Sequence, residues 1–367
     1  MTNTHFLHTL ERAEQFVLQG LVPSLCIGFG CGDVILGSAC YGKESILPKA
    51  DSVDANTLYD MASLTKLLGP TMVALQLLAD GTLELSDTLF RYLGNLVPEE
   101  KRGISIFHLM THTAGFLPSV RMEKLFSEPE RVLPFILSTP LQQEPGSKVS
   151  YSCLGYIVLG KVLERITGKD LHQLTQEYVF SPLQMTNTGY HPLNSTIHSE
   201  HTAYTERAWS DGEWLVGRVH DENAFLLQGI SGNAGIFSTL NDCMRFARMI
   251  ACSGVFDGKV YLSSSILKSA MTDQVPWSDN HKGLGFDLSG GRTGIYGPFF
   301  SIQAAGHTGF TGTSLYVDPE TGLWLVILAN RVHPTRDNLE MPRIRRVLGS
   351  TLRAEFDVWS HEHENAH

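Results

Sequence analysis

The stretch from Leu58 to Gly81, "LYDMASLTKLLGPTMVALQLLADG", decides how the rest of the chain is read. In it, Ser63 and Lys66 stand three residues apart, where a short apolar run turns into a helical pattern. Lysine normally keeps its ammonium in water, yet the residues that follow Lys66 are mostly Leu, Met, Val and Ala. On a helix, positions i and i+3 share one face with Cβ atoms about 5–6 Å apart, which places the Lys66 amine beside the Ser63 hydroxyl. A serine hydroxyl is a weak nucleophile until a neighbouring base takes its proton. A lysine serves as that base when burial among apolar neighbours favours its uncharged form. At a helix start the nucleophile's own N–H is also free to stabilise an oxyanion. Taken alone, the segment also fits an N-cap serine followed by a solvated first-turn lysine, so further elements are needed.

Two appear downstream. Tyr151-Ser152-Cys153 opens a helix after the turn Glu144-Pro145-Gly146, and His307-Thr308-Gly309 precedes a strand within "GHTGFTGTSLYVDP". Around them, "YDMASLTK", "GTLELSDTL", "ISIFHLMTHTAGF", "EPGSKVSYSCLGYIVLGKVLERITG" and "GHTGFTGTSLYVDPETGLWLVILANR" follow one another along the chain. On these residues, over nearly its whole length, the chain resembles the serine β-lactamase and penicillin-binding-protein-like hydrolase family. The likeness is to the branch with class C β-lactamases, D-alanyl-D-alanine carboxypeptidases and related esterases.

The resemblance implies a β-lactamase/transpeptidase-like fold and an acyl-enzyme mechanism. Ser63 attacks a carbonyl, Lys66 and the Tyr151 phenol move protons, and water hydrolyses the resulting ester. The N–H groups of Ser63 and Phe310 are the implied oxyanion donors, and Gly309 lets the strand come close to substrate. No E-x-x-L-N segment of the class A type is present, which favours the branch that uses tyrosine. Two positions depart from the family pattern. Cys153 stands where an asparagine carboxamide usually both donates and accepts, and it offers only a weak S–H donor and acceptor. His307 stands where a lysine often holds a substrate carboxylate, and histidine at its ordinary pKa of about 6.5 is mostly neutral at pH 7. With Thr308, Gly309 and Phe310, these two complete the expected substrate-binding set. Both departures favour an ester or small acyl substrate. A D-alanyl-D-alanine carboxypeptidase or β-lactamase, and a non-catalytic module that binds acyl ligands, are the alternatives.

Length and composition bound the same reading. The 367 residues suffice for about two compact lobes. At 43% hydrophobic and 18% charged residues the balance is globular. A formal charge of −10 argues against nucleic acid or an anionic membrane surface as partner, and a small-molecule ester, lactam or short D-amino-acid peptide fits better. No cofactor or metal is expected, and no motif sets an oligomeric state. Cys26, Cys31, Cys40, Cys153, Cys243 and Cys252 form no C-x-x-C pair, so all six are expected as reduced thiols. The N-terminus has the spacing of an amphipathic helix, and no apolar run of about 18 residues occurs. A soluble, cytoplasmic protein is the expectation.

Strand patterns lie at both ends of the chain. "SLCIGFG" and "VILGSACYG" flank Cys31-Gly32-Asp33, while "TSLYVDP" and "LWLVILAN" flank Glu320-Thr321-Gly322. Helical signals dominate the middle. This order predicts an α/β (α+β) fold with an antiparallel sheet drawn from both chain ends and flanked by helices. Residues 1–68 and 229–358 form the sheet domain, residues 69–228 a mainly helical inserted lobe, and residues 359–367, which include "HEHENAH", a flexible tail without an apolar anchor.

Other candidates are weaker. His108 and His112 in "HLMTH" have a spacing open to a metal, but without a third ligand they are read as structural. "GISGNAG" (229–235) is a tight loop brought near the cleft and lacks the G-K-[ST] ending of a phosphate cradle. His220 and Asp221 are candidates for the pocket wall or for loop capping. Tyr204, Trp209, Trp214 and Phe310 are candidates for an apolar acyl site or for core. Pro70 is expected to kink the helix after Lys66.

Overall fold

The computed structural model describes residues 4–47, 50–190, 201–289 and 296–364. Six antiparallel strands form the central sheet: β1 (Ser24–Cys31), β2 (Val34–Gly42), β3 (Asp287–Leu288), β4 (Ala305–Thr308), β5 (Ser314–Val317) and β6 (Leu323–Ala329). Their order is β2-β1-β6-β5-β4-β3. The two chain ends meet where β1 pairs with β6, from Leu25 opposite Ala329 to Cys31 opposite Leu323. β6 is buried along its whole length and β1 along all but its last residue, so neither shows the polar alternation of a half-exposed strand.

Five helices matter for the site: α1 (Leu7–Leu18), α2 (Met72–Ala79), α3 (Cys153–Thr167), α4 (Leu240–Ala251) and α5 (Met341–Glu364). One face of the sheet is covered by α1 and α5, where Phe6, Phe16, Ile344 and Leu348 join Leu25, Ile27, Leu325 and Ile327. α4 covers the other face, and its Leu240, Met244 and Ala247 share a core with Leu315, Val326 and Leu328. That core continues without a break into α2 and α3, so the helical middle of the chain and the sheet are packed as one body. Local signals account for the ends of these elements. Thr239 Oγ1 accepts the Asp242 N–H at 3.3 Å to cap α4, and Gly168, at φ 71°, ends α3. A small sheet of Tyr59–Asp60, Ile236–Ser238 and Gly189–Tyr190 lies directly before Ser63 and ties that segment to the middle of the chain.

Two expectations are corrected. Cys26 and Cys40 lie opposite each other across β1 and β2 and form a disulfide, so the six cysteines are not all reduced thiols. The pairing follows from hairpin register, which cysteine spacing alone does not reveal. The tail is also shorter than expected, because α5 continues through residues 359–364. Trp359 supplies the anchor, with its ring 6.3 Å from Phe6 and 5.7 Å from Phe356. Residues 365–367 lie outside the described residues.

Trp324 is the largest fully buried side chain and donates its indole N–H to Gly32 O at 3.0 Å, holding the β1–β2 turn to β6. Trp324→Ala is expected to cost about 3–5 kcal/mol. Denaturant unfolding checks this, as a lower midpoint at unchanged slope.

Candidate active site

The chain enters the site under strain. Ala62, just before Ser63, has φ 45°, a conformation that costs a residue with a Cβ about 1–3 kcal/mol. The buried Asp60 carboxylate pins it, accepting the Ala62 N–H at 2.8 Å and the His220 N–H at 2.7 Å. The 3₁₀ turn Ala62–Leu64 then presents Ser63, half-buried, to the cleft. Lys66 is fully buried. Its Nζ donates to Ser63 Oγ at 2.9 Å and to Asn233 O at 3.0 Å, and lies 3.5 Å from Cys153 Sγ. The kink expected at Pro70 takes the form of a π-helical turn, Leu67–Thr71, in which the missing N–H is absorbed before α2 begins.

Tyr151 arrives from the opposite side, ahead of α3. Ser152 caps that helix by accepting the Gly155 N–H at 3.1 Å and donates to Leu117 O at 2.6 Å. Tyr151 lines the same cavity as Ser63, and its ring centroid lies 4.9 Å from Lys66 Nζ. Burial, with a contribution from Cys153, drives the phenol pKa well above its ordinary value against the pull of the nearby Ser63 hydroxyl. At neutral pH Tyr151 is therefore a neutral phenol and a proton donor.

β4 forms the third wall. Thr311 Oγ1 donates to Asp60 O at 2.7 Å and Thr313 Oγ1 to Met61 O at 3.0 Å, stitching the loop after β4 to the turn that carries Ser63. Glycine is required at 309, since a Cβ there would lie 2.1 Å from Thr313 Oγ1 and 2.4 Å from Met61 O. The Phe310 N–H donates to no protein group among the described residues, which leaves it available as the expected oxyanion donor. Ser63, Tyr151, His307, Thr308, Gly309 and Phe310 line one cavity of about 680 Å³. Lys66 sits beneath Ser63, and the Cys153 sulfur lies against the Lys66 amine.

The same cavity is lined by residues that sequence reasoning missed: Lys282, Asp287, Arg331 and Arg345. Asp287, on the strand beside that of His307, forms a buried ion pair with Lys282, whose Nζ lies 5.9 Å from the Tyr151 ring. Burial alone would raise the Asp287 carboxyl, but Lys282 and the nearby His307 hold it far below the usual carboxylate range. The only sequence signal was a lysine and an aspartate flanking Gly283–Phe286 ahead of the third motif. Burial also lowers His307 to about 4, with Lys66 and Lys282 adding to the effect against Asp287. Its Nδ1 is 2.8 Å from Thr308 O, and Nε2 is buried with no partner among the described residues.

The weaker candidates separate. The Nδ1 atoms of His108 and His112 accept the N–H groups of Ser105 and Ser152, each at 3.1 Å, so both are engaged with backbone. His112 nevertheless adjoins the site, its ring 4.6 Å from that of Tyr151. His220 stacks on Phe310 at 5.8 Å and lies 3.0 Å from Glu206, while Asp221 caps a short helix by accepting the Ala224 N–H. Of the four aromatics, only Phe310 lines the cavity. Tyr204 and Trp214 gather at His333, and Trp209 at Phe225. The 229–235 loop does approach the cleft, through Asn233 O on Lys66.

Comparison with known proteins bears on family and fold. The family model described as Beta-lactamase matches residues 35–350. A putative D-alanyl-D-alanine carboxypeptidase of Salmonella typhi is 31% identical over 320 residues, covering 80% of this chain and 74% of the relative. An N-acetylmuramyl-L-alanine amidase of Bacillus subtilis is 28% identical over 334 residues, covering 83% of this chain and 75% of the relative. Among solved structures, EstCE1, a hydrolase with promiscuous acyltransferase activity, superposes with a TM-score of 0.78 at 19% identity, over 96% of this chain and 99% of its own. At that identity the likeness speaks for the fold alone, which is of the β-lactamase/transpeptidase type.

The state of His307 is open to direct measurement. The imidazole resonance that disappears in His307→Gln is expected to titrate near pH 4 and not near 6.5. Because the folded-state pKa lies below the unfolded value, His307 contributes stability that is complete above about pH 6.5 and is lost as pH falls toward 4. His307→Gln should flatten that part of the stability profile. His112, shifted the same way by burial, keeps part of the slope.

Proposed function

The chain belongs to the Beta-lactamase family and is a serine hydrolase of that type, and from this premise we propose that it acts through an acyl-Ser63 intermediate on esters or small amides. The observation that carries the reading is the convergence of the Ser63 hydroxyl, the Lys66 amine and the Tyr151 ring beside a cavity large enough for a small acyl compound. In the proposed reaction Ser63 Oγ bonds to the substrate carbonyl carbon and its proton passes to Lys66 Nζ. The negative charge that develops on the carbonyl oxygen is met by the N–H groups of Ser63 and Phe310. When the bond to the leaving group breaks, Tyr151 donates the proton that group needs and is recharged from Lys66. Water then adds to the acyl ester and releases Ser63.

Two features support an ester or small acyl substrate. At position 153 a thiol turned toward Lys66 replaces the carboxamide that would read a substrate amide. At position 307 a neutral imidazole replaces a fixed ammonium.

A second reading, hydrolysis of an amide in a carboxylate-bearing peptide or of a lactam, is favoured by the charges in the cavity wall. Lys282, Arg331 and Arg345 line it with Asp287 as the only carboxylate in the lining among the described residues, in a chain of net charge −10. Such a local excess attracts an anion. The names of the Salmonella and Bacillus relatives are in keeping with that reading.

Ser63→Ala is expected to abolish ester hydrolysis and labelling by a fluorophosphonate, and Lys66→Ala to abolish acylation. Tyr151→Phe should lower the rate about 10²- to 10⁴-fold, the usual contribution of a positioned acid or base. Unchanged hydrolysis by Ser63→Ala would end the assignment. A fluorescent penicillin separates the two readings, since rapid and stable labelling favours the second and rejection favours the esterase. Cys153→Asn is expected to raise turnover of amides or lactams relative to esters, measured as the ratio of kcat/KM values.

A further inference from the structure

Arg345 is the most enclosed of the cavity's cations that pair with no carboxylate. It stands in α5 and is 7% exposed. Its Nη2 donates to Gly309 O at 3.1 Å and to Thr313 O at 2.9 Å, and no carboxylate pairs with it among the described residues. Gly309 O belongs to the peptide unit whose N–H is that of Phe310. In a trans peptide the C=O and N–H point in opposite directions. A donor seated on the Gly309 oxygen therefore stands behind the amide and leaves the Phe310 N–H facing forward.

We propose that Arg345 is a positioning residue of the oxyanion pocket, gripping the Gly309–Phe310 peptide from behind and polarising its N–H toward the substrate oxygen. The inference rests on the serine-hydrolase reading above. Two effects act together. The two bonds from Nη2 fix the peptide plane, because Thr313 O takes both Arg345 Nη2 and, at 2.7 Å, the Gly309 N–H. A charge-assisted bond to the carbonyl also makes the N–H of the same unit a stronger donor, as hydrogen bonds in a chain polarise one another. Because Arg345 acts here through backbone, this polarisation of the N–H is the same for neutral and charged substrates. Its benefit falls where charge develops, in the tetrahedral transition state.

Two variants of the full chain test the idea. Arg345→Met keeps the apolar stem, and Arg345→Lys keeps a charge but loses the planar guanidinium that seats Nη2 on both carbonyls. Each is assayed on a neutral p-nitrophenyl ester and on a carboxylate-bearing ester, with a phenylboronic acid as tetrahedral mimic. Circular dichroism checks the fold. Arg345→Met is expected to lower kcat on the neutral ester about tenfold to hundredfold, less than the loss from deleting an oxyanion donor outright. KM should stay nearly unchanged, and boronate affinity should fall by the same factor as kcat/KM. Arg345→Lys should recover part of both, and if Arg345→Met does not fold, a parallel loss of kcat and boronate affinity in Arg345→Lys carries the proposal. Two results overturn it: unchanged kcat and boronate affinity in a folded variant, or a rise in KM confined to the carboxylate-bearing ester, which would make Arg345 a holder of substrate carboxylate. Failure of the parent protein to label at Ser63 with a fluorophosphonate would overturn the hydrolase reading itself and is a distinct result.

Discussion

The site is organised around one buried amine. Lys66 has no access to water, and its partners are the Ser63 hydroxyl and the Asn233 carbonyl, with the Cys153 sulfur alongside. None of these is a carboxylate, so the lysine is enclosed by dipoles and not locked in an ion pair. Other features serve this enclosure. A Cβ at Gly232 would lie 1.9 Å from Tyr156 O, so only glycine lets the 229–235 loop close over the amine. The left-handed Ala62 turns Ser63 back toward Lys66, and Asp60 holds that strained residue in place. Strain before a nucleophile persists only where the surroundings over-determine it. Here the small sheet and the hydrogen bonds on Asp60 do so.

Charge in the cavity has been redistributed, not simply lost. The third motif lacks the lysine common in the family, and His307 is kept neutral by burial beside two amines. Lys282 lies against the edge strand, where Asp287 takes up its charge within the ion pair. The unbalanced positive charge therefore lies with Arg331 and Arg345, around the loop after β4. Both side chains donate to main-chain carbonyls of that loop, Arg331 to Phe310 O at 2.6 Å and Arg345 to Gly309 O. Their charge shapes the backbone that faces the substrate as well as the field that draws it in.

How much of this was legible in sequence follows from the range of each interaction. Ser63 and Lys66 are one helical turn apart, and Tyr151 and His307–Gly309 lie in short segments with fixed order, so four elements of the site could be named before any fold was known. The meeting of β1 with β6 was readable too, from apolar runs at both chain ends. Asn233 could not be assigned because it acts through its carbonyl, which every residue possesses. Lys282 and Asp287 gain meaning only when β3 lies beside β4, and Arg345 only when α5 crosses the cavity. The Cys26–Cys40 pair was missed for the same reason, since cysteine spacing carries no strand register. Residues 359–364 were misread because the anchor, Trp359, finds its apolar partners in Phe6 at the far end of the chain as well as in Phe356.

These differences in range also bear on how the site assembles. The Ser63–Lys66 pair needs only a local turn, whereas the oxyanion pocket needs residues about 250 positions apart in the chain, joined by Thr311 to Asp60 O and Thr313 to Met61 O. Bringing such distant segments together carries a loop-closure cost that the local turn avoids. The threonine hydroxyls offset part of it, Thr311 on Asp60 O and Thr313 as a second donor on Met61 O, which also accepts the Leu64 N–H at 3.0 Å. Nucleophile and base can therefore be read from a motif, while the donors that make their attack productive belong to the completed sheet. A chain holding the motif with a loosened β4–β5 connection would keep the hydroxyl and the amine adjacent and still lack the pocket that stabilises the transition state.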